Sequence, residues 1–501
     1  MKLAAILASV AALAGRVESY TNPITIKGYK MYDAKTGDYF SAKGIDYYPR
    51  PNTGELNENN VDFFTDDHAS VWEKDIEYLA ATGANAVRLY AVDPTKSHDM
   101  FMCALRAKGM YALIDLGASC KGCSISNDKY PTCYPSTLKD RGEQIILAFA
   151  KYDNVLAFSA GNEVNHVVTD PTMNAPCQKK FIRDMRKFTA DCSKTMRSIP
   201  VGVVLADHER DFNALYYSCR TNVSDTYENA EWYGLNAYLS CDPLITDGSK
   251  ATGLLNMLND FLSYKMPIPV LLTEFGCLNK VFSPVGDYEA QRTWLEAGWI
   301  STDKYREVLS GGFAFEYSTE YANAVNENPN KSSEYPFKKY GPGNWGLGYF
   351  SPKNCDHGSE PCTYKPMPNY ENLKAQYNVT ATTNEPKMAS FVPATDRVSP
   401  PPCPTNGTVL AEATWPVDSV QSYACPAVAL SFTCPNQASS GIWVGTTLLN
   451  TTETPSTTTP TTTTPDTTKP ATATAGTLAS ATAAVASFVV TTCMAISVAF
   501  T

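Results

Sequence analysis

The sequence predicts an α/β protein built on a (β/α)8 barrel, and three observations lead to that prediction. Short apolar runs of strand length alternate with longer amphipathic segments between residues 20 and 380. There are eight such runs, and each is apolar almost throughout, as parallel strands buried on both faces are. The span fits barrels of this type, which run to about 250 residues or more. An open doubly wound sheet is the alternative, but GIDYYPRP after the first run is not the expected Gly-rich phosphate turn.

The predicted strands are separated by segments with helical periodicity. In chain order the strands occupy residues 39–47, 85–92, 110–117, 155–164, 200–207, 231–238, 268–276 and 311–318. Residues 70–83 form a predicted helix, since apolar side chains from Val71 to Ala80 recur on one face and Gly83 supplies a C-terminal stop. Two further helices are predicted at 98–109 and 177–195. This alternation predicts that the barrel occupies residues 20–380.

The N-terminus has the pattern of a secretory signal peptide at residues 1–19. One Lys precedes an apolar run from Leu3 to Ala14 that is too short to span a bilayer. Val17 and Ser19 fill the −3 and −1 positions of a cleavage site. A buried N-terminal helix is the alternative reading of the same run.

The C-terminus has the order of a glycosylphosphatidylinositol (GPI) anchor signal. Residues 446–475 are rich in Thr and Pro, a composition typical of a disordered, O-glycosylated stalk. Small residues, a polar spacer and a mildly apolar tail at 476–501 follow. A transmembrane helix is less favoured, because Thr491 and Thr492 interrupt the tail and no basic stop follows it. We expect a protein of the cell surface and cell wall, anchored to the outer face of the plasma membrane.

Composition and compartment exclude several classes of function. A net charge of −10 and a pI near 5.2 argue against a nucleic-acid partner, and 29 Tyr residues suit sugar binding. Secretion makes disulfides the default for the fourteen cysteines that remain once Cys493 leaves with the tail. The CxxC of Cys120 and Cys123 therefore predicts a disulfide rather than zinc, and the five His are scattered. We expect no metal and no organic cofactor.

Polar residues collect at the C-terminal ends of the predicted strands, where a barrel builds its active site. Charges at the ends of buried strands are costly without a partner, so a ring of them around one opening indicates a ligand. The ring consists of Asp46, Arg88, Tyr90, Asp115, Asn162, Glu163, Asp207, Asn236, Tyr238, Glu274, Glu316 and Tyr317.

Two carboxylates in this ring suit glycoside cleavage. Glu163 ends the fourth run and Glu274 ends the seventh, so the two face each other across the barrel mouth. Paired carboxylates about 5–5.5 Å apart perform retaining cleavage, in which one attacks the anomeric carbon and the other serves as acid and then base. Asn162 precedes Glu163 and can hydrogen-bond the sugar 2-hydroxyl.

Four strings resemble a known family. RLYAVDPTKSHD (88–99), SAGNEV (159–164), YGLNAYLSC (233–241) and TEFGC (273–277) are similar to motifs of the fungal β-1,3-glucanosyltransferases, glycoside hydrolase family 72. The resemblance covers residues 20–380. It implies cleavage within a β-1,3-glucan donor and transfer of the new reducing end to the non-reducing end of another glucan.

The resemblance also implies roles for individual residues. Glu163 would be the acid/base and Glu274 the nucleophile, with Asp115 close to the donor sugars. The implied donor contacts are Tyr90, Asn162, Asp207, Arg210 and Tyr238. Disulfides are implied between Cys241 and Cys277, and between Cys219 and either Cys355 or Cys362.

The chain departs from the family pattern in three places. Tyr48 replaces a sugar-binding Gln, and Phe315 stands where a Tyr is common, which leaves Tyr317 as a candidate for that contact. The short extension at 381–445 holds Cys403, Cys425 and Cys434, too few for a Cys-rich carbohydrate-binding module, and one of them could pair with a barrel cysteine. Candidate sugar platforms, each equally explained by core packing, are Tyr47, Tyr48, Trp232, Tyr233 and Trp345.

The main hypothesis is thus a monomeric transglycosylase acting on β-1,3-glucan. An endo-β-1,3-glucanase would use the same two glutamates, because only the group that resolves the intermediate differs. A non-catalytic wall-binding protein is less favoured, since it would need neither glutamate.

Overall fold

A computed structural model describes residues 21–449, apart from 169, 171, 243, 279–283, 290–291, 327–332, 340, 342 and 380–383. The predicted signal peptide, nearly all of the predicted Thr/Pro-rich stalk and the predicted anchor tail lie outside the described residues. The described chain to Leu449 belongs to one compact unit. None of the helices in this part of the chain combines the length and the hydropathy needed to cross a membrane.

The chain begins with a small antiparallel sheet that closes one end of the barrel. Its strands are β1 (Ile24–Lys27), β2 (Lys30–Asp33) and β3 (Tyr39–Phe40). Ile24 and Met31 share an apolar cluster with barrel-lining side chains such as Leu113 and Leu271. The Tyr111 hydroxyl donates to the Asn22 carbonyl at 2.7 Å. This end is therefore filled, which leaves the opposite end for a ligand.

Eight parallel strands form a closed barrel, which confirms the predicted fold. Their order around the barrel follows the chain, with the last strand pairing with the first. The strands are β4 (Ala42–Asp46), β5 (Ala86–Leu89), β6 (Tyr111–Asp115), β7 (Val155–Asn162), β8 (Val201–Ala206), β9 (Tyr233–Asn236), β10 (Val270–Phe275) and β11 (Leu309–Ala314). Each falls within or overlaps its predicted run. The first run, however, divides between β3 of the small sheet and β4 of the barrel.

Helices follow the barrel strands along the chain, and the last two come after the final strand. They are α1 (Ala69–Ala81), α2 (Asp99–Ala107), α3 (Ser136–Phe149), α4 (Ala175–Asp191), α5 (Arg210–Ser218), α6 (Thr252–Tyr264), α7 (Leu295–Trp299), α8 (Asp303–Arg306), α9 (Tyr321–Asn326) and α10 (Pro368–Tyr377). The predicted stop after α1 is present, because Gly83 adopts a φ of 86° that an L side chain rarely takes. Two antiparallel pairs complete the fold: β12 (Gly348–Ser351) with β13 (Thr363–Pro366), and β14 (Ile442–Val444) with β15 (Thr447–Leu449).

The extension beyond α10 wraps the outside of the barrel as a strap, residues 384–449. Three disulfides fasten it to barrel helices or their ends: Cys103–Cys434, Cys192–Cys425 and Cys219–Cys403. Polar contacts add to these bonds, since Lys180 pairs with Asp418 at 2.6 Å. All three cysteines of the strap thus bond to barrel cysteines, not one.

The cysteine pairing corrects one expectation from the family resemblance. Cys219 bonds to Cys403 of the strap rather than to Cys355 or Cys362, and those two bond to each other across a separation of 7 residues. The remaining bonds are Cys120–Cys123, Cys133–Cys177 and Cys241–Cys277. The CxxC therefore forms a disulfide.

Candidate active site

Glu163 and Glu274 open into the same cavity, about 460 Å³ in volume, at the C-terminal end of the barrel strands. Glu163 follows β7 with a backbone φ of 52°, a left-handed conformation that costs a non-glycine residue roughly 1–3 kcal/mol. Its amide donates to the Val204 carbonyl at 3.0 Å, and its carbonyl accepts from the His166 amide at 2.8 Å. Glu274 lies within β10, and the Ala237 amide of the neighbouring chain segment donates to its carbonyl at 2.9 Å. Both backbones are thus fixed by adjacent strand ends.

Three donors surround the Glu274 carboxylate. Arg88 Nη1 lies 3.2 Å and the Tyr90 hydroxyl 3.0 Å from Oε1, while the Tyr238 hydroxyl donates to Oε2 at 2.8 Å. A carboxylate that accepts several hydrogen bonds is favoured in its charged form. This set of donors suits a carboxylate that must stay ionised.

A single side-chain donor serves Glu163 among the described residues. Asn236 Nδ2 donates to Glu163 Oε1 at 3.0 Å and to Asn162 Oδ1 at 3.2 Å. The Thr273 hydroxyl donates to Asn236 Oδ1 at 2.8 Å, which fixes the orientation of the amide. Asn236 therefore connects the residues before both glutamates.

Burial raises the pKa of both carboxyl groups. At Glu274 burial and the neighbouring Glu163 raise the pKa, and Arg88 with the two tyrosine hydroxyls opposes this rise. At Glu163 burial raises the pKa, opposed by the Asn236 amide and Arg88. The two groups interact, so their protons leave in steps that belong to the pair.

Arg88 lies at the centre of the site, with no solvent exposure. Nη2 donates to Asp115 Oδ2 at 3.0 Å and to Asn162 Oδ1 at 2.8 Å, while Nη1 faces Glu274 and lies 3.9 Å from Asp46 Oδ1. A planar guanidinium can hold several acceptors in a fixed geometry, which an ammonium cannot. The sequence placed Arg88 in the ring but gave it no role. The signal was a lone cation within the apolar run NAVRLYAV.

The predicted substrate contacts divide into two groups. Tyr90, Asp115 and Asn162 line the cavity with the two glutamates, and Tyr238 touches Glu274. Asp207 and Arg210, after β8, form an ion pair with each other at 2.7 Å, and Arg210 also pairs with Asp260. This pair is not part of the cavity lining.

Tyr317 does not reach the cavity. Its ring is 1% exposed, and its hydroxyl donates to Asp75 Oδ1 of α1 at 2.8 Å, where Tyr47 donates to Oδ2 at 3.0 Å. The two preceding residues, Phe315 and Glu316, lie beyond β11 and line the cavity, whereas the Tyr317 side chain points to α1. We expected Tyr317 to supply the hydroxyl that Phe315 lacks. In the structure its side chain is buried and its hydroxyl is bonded to Asp75, so it does not line the cavity.

Other walls of the cavity come from the loops after the first and eighth barrel strands. Tyr48, Phe315 and Glu316 line it, and burial together with Glu320, Glu274 and Asp46 raises the pKa of Glu316 well above its usual range. Of the candidate sugar platforms, Tyr48 is the one in this lining. Trp345 is half-buried against Tyr238 and Phe315, whereas the core holds Tyr47, Trp232 and Tyr233.

The Cys241–Cys277 disulfide braces the loops beside Tyr238 and Glu274. Gly276 lies between that bond and the nucleophile candidate with a φ of 120°, and a Cβ there would lie 2.3 Å from the Trp294 ring. In the described part of the chain, no cluster of three or more His, Cys, Asp or Glu side chains could hold a metal ion. The polar groups around the two glutamates are carboxyl, amide, guanidinium and phenol groups.

Comparison with known proteins identifies one family and several relatives within it. The family described as glucanosyltransferase, glycoside hydrolase 72, matches residues 13–340. The 1,3-beta-glucanosyltransferase gel1 of Aspergillus fumigatus is 30% identical over 364 residues, which cover 70% of this chain and 72% of that protein. PGA4 of Candida albicans and GAS2 of Saccharomyces cerevisiae, both named 1,3-beta-glucanosyltransferases, are 31% and 33% identical. The match covers 60% of this chain in each case but only 60% and 50% of those two relatives, less than two thirds of their length.

A solved structure shares the fold. Saccharomyces cerevisiae Gas2p in complex with laminaritriose and laminaritetraose superposes with a TM-score of 0.56 at 28% identity, over 77% of this chain and 74% of that one. The family match, the barrel and the paired glutamates agree with one another. This chain belongs to glycoside hydrolase family 72, the glucanosyltransferase family.

Proposed function

We propose that this protein is a 1,3-β-glucanosyltransferase that cleaves a β-1,3-glucan donor with retention and transfers the glycosyl unit to the non-reducing end of another β-1,3-glucan. The observation that carries the proposal is the pair Glu163 and Glu274, which face one cavity with unequal sets of hydrogen-bond donors. The names of the relatives support the choice of reaction and substrate.

The unequal donor sets divide the roles. When the pair holds one proton, the three donors at Glu274 favour the anion there, and the proton resides on Glu163, which accepts one hydrogen bond from Asn236. Glu274 is then the nucleophile and Glu163 the acid. Retaining glycosidases need this division of charge at the start of the reaction.

The reaction proceeds in two displacements. The Glu274 carboxylate attacks the anomeric carbon as the glycosidic C–O bond breaks, and Glu163 gives its proton to the departing oxygen. The leaving chain departs and a second glucan enters. Glu163, now a carboxylate, takes the proton of the acceptor hydroxyl, whose oxygen attacks the anomeric carbon and releases Glu274. Two inversions retain the β configuration.

The substrate contacts support a neutral sugar. Asn162, fixed by Arg88 and Asn236, can donate from its amide nitrogen to a hydroxyl of the reacting sugar, while Asp115 and Tyr90 border the same cavity. Tyr48 adds an aromatic side chain to the cavity lining, and its hydroxyl donates to the Glu58 carbonyl at 3.2 Å. Asp207 and Arg210 are proposed to contact sugars beyond the cavity. No metal or organic cofactor takes part in this proposal.

Product size tests the proposal directly. The purified protein is incubated with a borohydride-reduced β-1,3-gluco-oligosaccharide, and products longer than the input are expected. Only shorter products would identify an endo-β-1,3-glucanase, and no change would leave a wall-binding role.

Matched variants test the two carboxylates. Glu274→Ala and Glu163→Gln should each lower turnover by about a thousandfold or more. External azide should partly restore Glu163→Gln on an activated donor. Glu143→Gln is the control, because Glu143 is a buried carboxyl on α3 that binds the Tyr423 amide of the strap at 2.8 Å. Normal turnover of Glu274→Ala would overturn the nucleophile assignment.

The proposed place of action is the cell wall, at the outer face of the plasma membrane, with the protein secreted, GPI-anchored and monomeric. The order of a Thr/Pro-rich stretch, small residues and an apolar tail in the sequence supports the anchor. Release of the protein from cells by phosphatidylinositol-specific phospholipase C tests it, and retention after that treatment would contradict it. Light scattering of the purified protein tests the monomer.

A further inference from the structure

Five asparagines in the sequence begin an Asn-x-Ser/Thr triplet, the acceptor site (sequon) for N-linked glycans in secreted proteins. They are Asn222, Asn330, Asn378, Asn406 and Asn450. Asn330 and Asn450 lie outside the described residues. The other three differ in one respect that decides whether the fold can accept a glycan, namely whether the side-chain nitrogen Nδ2 is already bonded within the protein.

Asn222 has a free side-chain nitrogen on a fixed loop. It lies exposed between α5 and β9, where the buried Glu228 carboxylate accepts from the amides of Thr221 and Asn222 at 3.0 and 2.8 Å. Asn222 Oδ1 accepts from the Ser224 amide at 3.0 Å, whereas Nδ2 has no partner among the described residues. The loop therefore keeps its conformation without the nitrogen that would carry a glycan.

Asn406 has the same property in the strap. It is exposed, and its side chain has no hydrogen-bond partner in the described part of the chain. The backbone beside it is held to α5, because the Tyr216 hydroxyl donates to the Thr408 carbonyl at 2.9 Å. The Leu410 amide donates to the Thr221 hydroxyl at 3.3 Å. The strap and the loop after α5 thus form one surface.

One disulfide brings these two sequons together. Asn222 and Asn406 each stand three residues after a cysteine of the Cys219–Cys403 bond, whose Cα atoms lie 5.2 Å apart. The loop from α5 to β9 connects a helix to the next strand, and such loops lie at the end of a barrel opposite its active site. Glycans at the two positions would therefore extend from a surface away from the cavity.

The side chain of Asn378 is already used by the fold. Its Nδ2 donates to the Lys374 carbonyl at 2.9 Å and to the Thr82 carbonyl at 3.1 Å, so both amide hydrogens are bonded. The amide also packs against Gly83, where an added Cβ would lie 3.2 Å from Nδ2. A glycan replaces one of the two hydrogens, so one of these bonds would be lost and the end of α10 would be held less firmly to the turn after α1.

We propose that Asn222 and Asn406 carry N-linked glycans in the secreted protein and that Asn378 does not. This inference goes beyond the proposed reaction but rests on the proposed secretion, because N-linked transfer takes place in the secretory pathway. Transfer to an unfolded chain can modify any sequon. Molecules modified at Asn378 fold less readily, so the secreted protein contains few of them.

The modification joins the Asn side chain to a sugar that the host cell supplies. Nδ2 attacks the anomeric carbon of an oligosaccharide carried on a lipid diphosphate. The C–O bond to the diphosphate breaks, the lipid diphosphate leaves with the bonding electrons, and Nδ2 loses one proton to a base of the host transferase. One hydrogen remains on Nδ2, which suffices where the fold uses none, as at Asn222.

Peptide mapping of the full chain tests the assignment. The protein is purified from the surface or the medium of a eukaryotic host and treated with peptide N-glycosidase in ¹⁸O-water, which converts each glycosylated Asn to ¹⁸O-labelled Asp. Labelling is expected at Asn222 and Asn406 in most molecules and at Asn378 in few. Because both glycans lie away from the cavity, their removal should change kcat/KM on the reduced oligosaccharide by less than about twofold.

Variants of the third sequon residue provide matched controls. Ser224→Ala and Thr408→Ala keep the asparagines but destroy the acceptor pattern, so each should lose one glycan, seen as a step in gel mobility. Thr408→Ser keeps the pattern and should keep the glycan. Thr380→Ala alters the sequon of Asn378 in the same way and should leave the mobility unchanged. Thermal unfolding of each variant identifies any folding defect.

The outcomes separate this inference from the proposed function. Protein at the cell surface or in the medium with Asn222 or Asn406 unlabelled, or with Asn378 labelled as fully as the other two, overturns the inference alone. Protein that stays in the cytosol, with reduced cysteines and no glycans, overturns the proposed secretion as well. Absence of transfer products would overturn the proposed reaction and leave the glycan map unchanged.

Discussion

The guanidinium of Arg88 and the carboxylate of Glu274 lie 3.2 Å apart, and both side chains are almost completely withdrawn from solvent. The same guanidinium holds Asp115 and Asn162, so one buried cation positions the nucleophile candidate and the amide that we propose binds the sugar. Several acidic groups at the barrel mouth thereby share a single positive charge.

This relationship predicts unequal effects of two substitutions at Arg88. Arg88→Lys keeps the charge but replaces two separate terminal nitrogens by one, which cannot reach Glu274 on one side and Asp115 with Asn162 on the other, so kcat should fall about a hundredfold with a modest loss of stability. Arg88→Met leaves buried carboxylates without their cation and should lower the free energy of unfolding by about 3–5 kcal/mol. Turnover and urea unfolding measure the two effects.

Arg197→Lys is the control for Arg88→Lys. Arg197 is also buried, but it donates to the carbonyls of Tyr152 and Val155, at the start of β7, and does not line the cavity. Its substitution should cost stability without lowering kcat. If Arg88→Lys keeps full turnover, the positioning role of Arg88 is wrong.

The Tyr238 hydroxyl should set the lower limit of the active pH range. It donates to Glu274 Oε2 at 2.8 Å and opposes the rise in the pKa of Glu274 that burial causes. Tyr238→Phe removes that donor, so the pKa of Glu274 rises further and a higher pH is needed to ionise it. The acid limb of kcat/KM against pH should move up by about one unit.

Tyr233→Phe provides the comparison, since the Tyr233 hydroxyl is buried and finds no partner among the described residues. Its pH profile should match that of the wild type. An acid limb that stays in place in Tyr238→Phe would show that this hydroxyl does not tune the nucleophile.

Asp75 should make the protein less stable as the pH rises. Burial raises the pKa of Asp75 to about 7, although the Tyr317 and Tyr47 hydroxyls oppose this. The folded carboxyl therefore keeps a proton that the same carboxyl in the unfolded chain, whose pKa is 3.8, has released. The contribution of Asp75 to the free energy of unfolding is therefore fully present below about pH 4 and is lost as the pH rises through about 7.

Asp75→Asn removes this titration. Urea unfolding should show a shallower loss of stability between about pH 4.5 and 8 for the variant than for the wild type. Tyr317→Phe should change stability but leave KM for the oligosaccharide unchanged, because that hydroxyl is bonded to Asp75 rather than to a ligand. A raised KM in Tyr317→Phe would restore the sequence-based assignment.

The strap should contribute stability through its long disulfide loops. Replacing Cys192 and Cys425 by Ser opens a loop with a sequence separation of 233 and should lower the free energy of unfolding by about 2–5 kcal/mol. Replacing Cys120 and Cys123, separated by 3, should cost much less. Thermal and urea unfolding check the contrast, and equal losses from the two double variants would contradict it.

The barrel and the glutamate pair could be predicted from the sequence for one reason. Parallel strands buried on both faces must be continuously apolar, so Glu163 and Glu274 stand out at the ends of such runs. The same rule does not say which way a side chain turns after the strand ends. Phe315 and Glu316 are consecutive and both line the cavity, so alternation along β11 could not have predicted that Tyr317 points away from it.

Other features depend on contacts between distant parts of the chain. Nothing local in Cys219 distinguishes Cys403 from Cys355 as its partner, because pairing is decided by which helix the strap crosses. The small sheet that fills the barrel end was not predicted from the sequence, for a related reason. Tyr39 and Phe40 continue the apolar run of the first barrel strand, and only tertiary packing assigns them to a different sheet.

The strap also determines where a recombinant form of this protein can end. A protein that stops at residue 380, where the barrel pattern ceases, would carry Cys103, Cys192 and Cys219 as unpaired thiols. In an oxidising compartment those thiols would form incorrect disulfides, within the chain or between molecules. Lys180 and Arg106 would lose contacts on the same surface. A recombinant form should therefore extend beyond Cys434, and yields of correctly paired material should fall sharply for any form that ends before it.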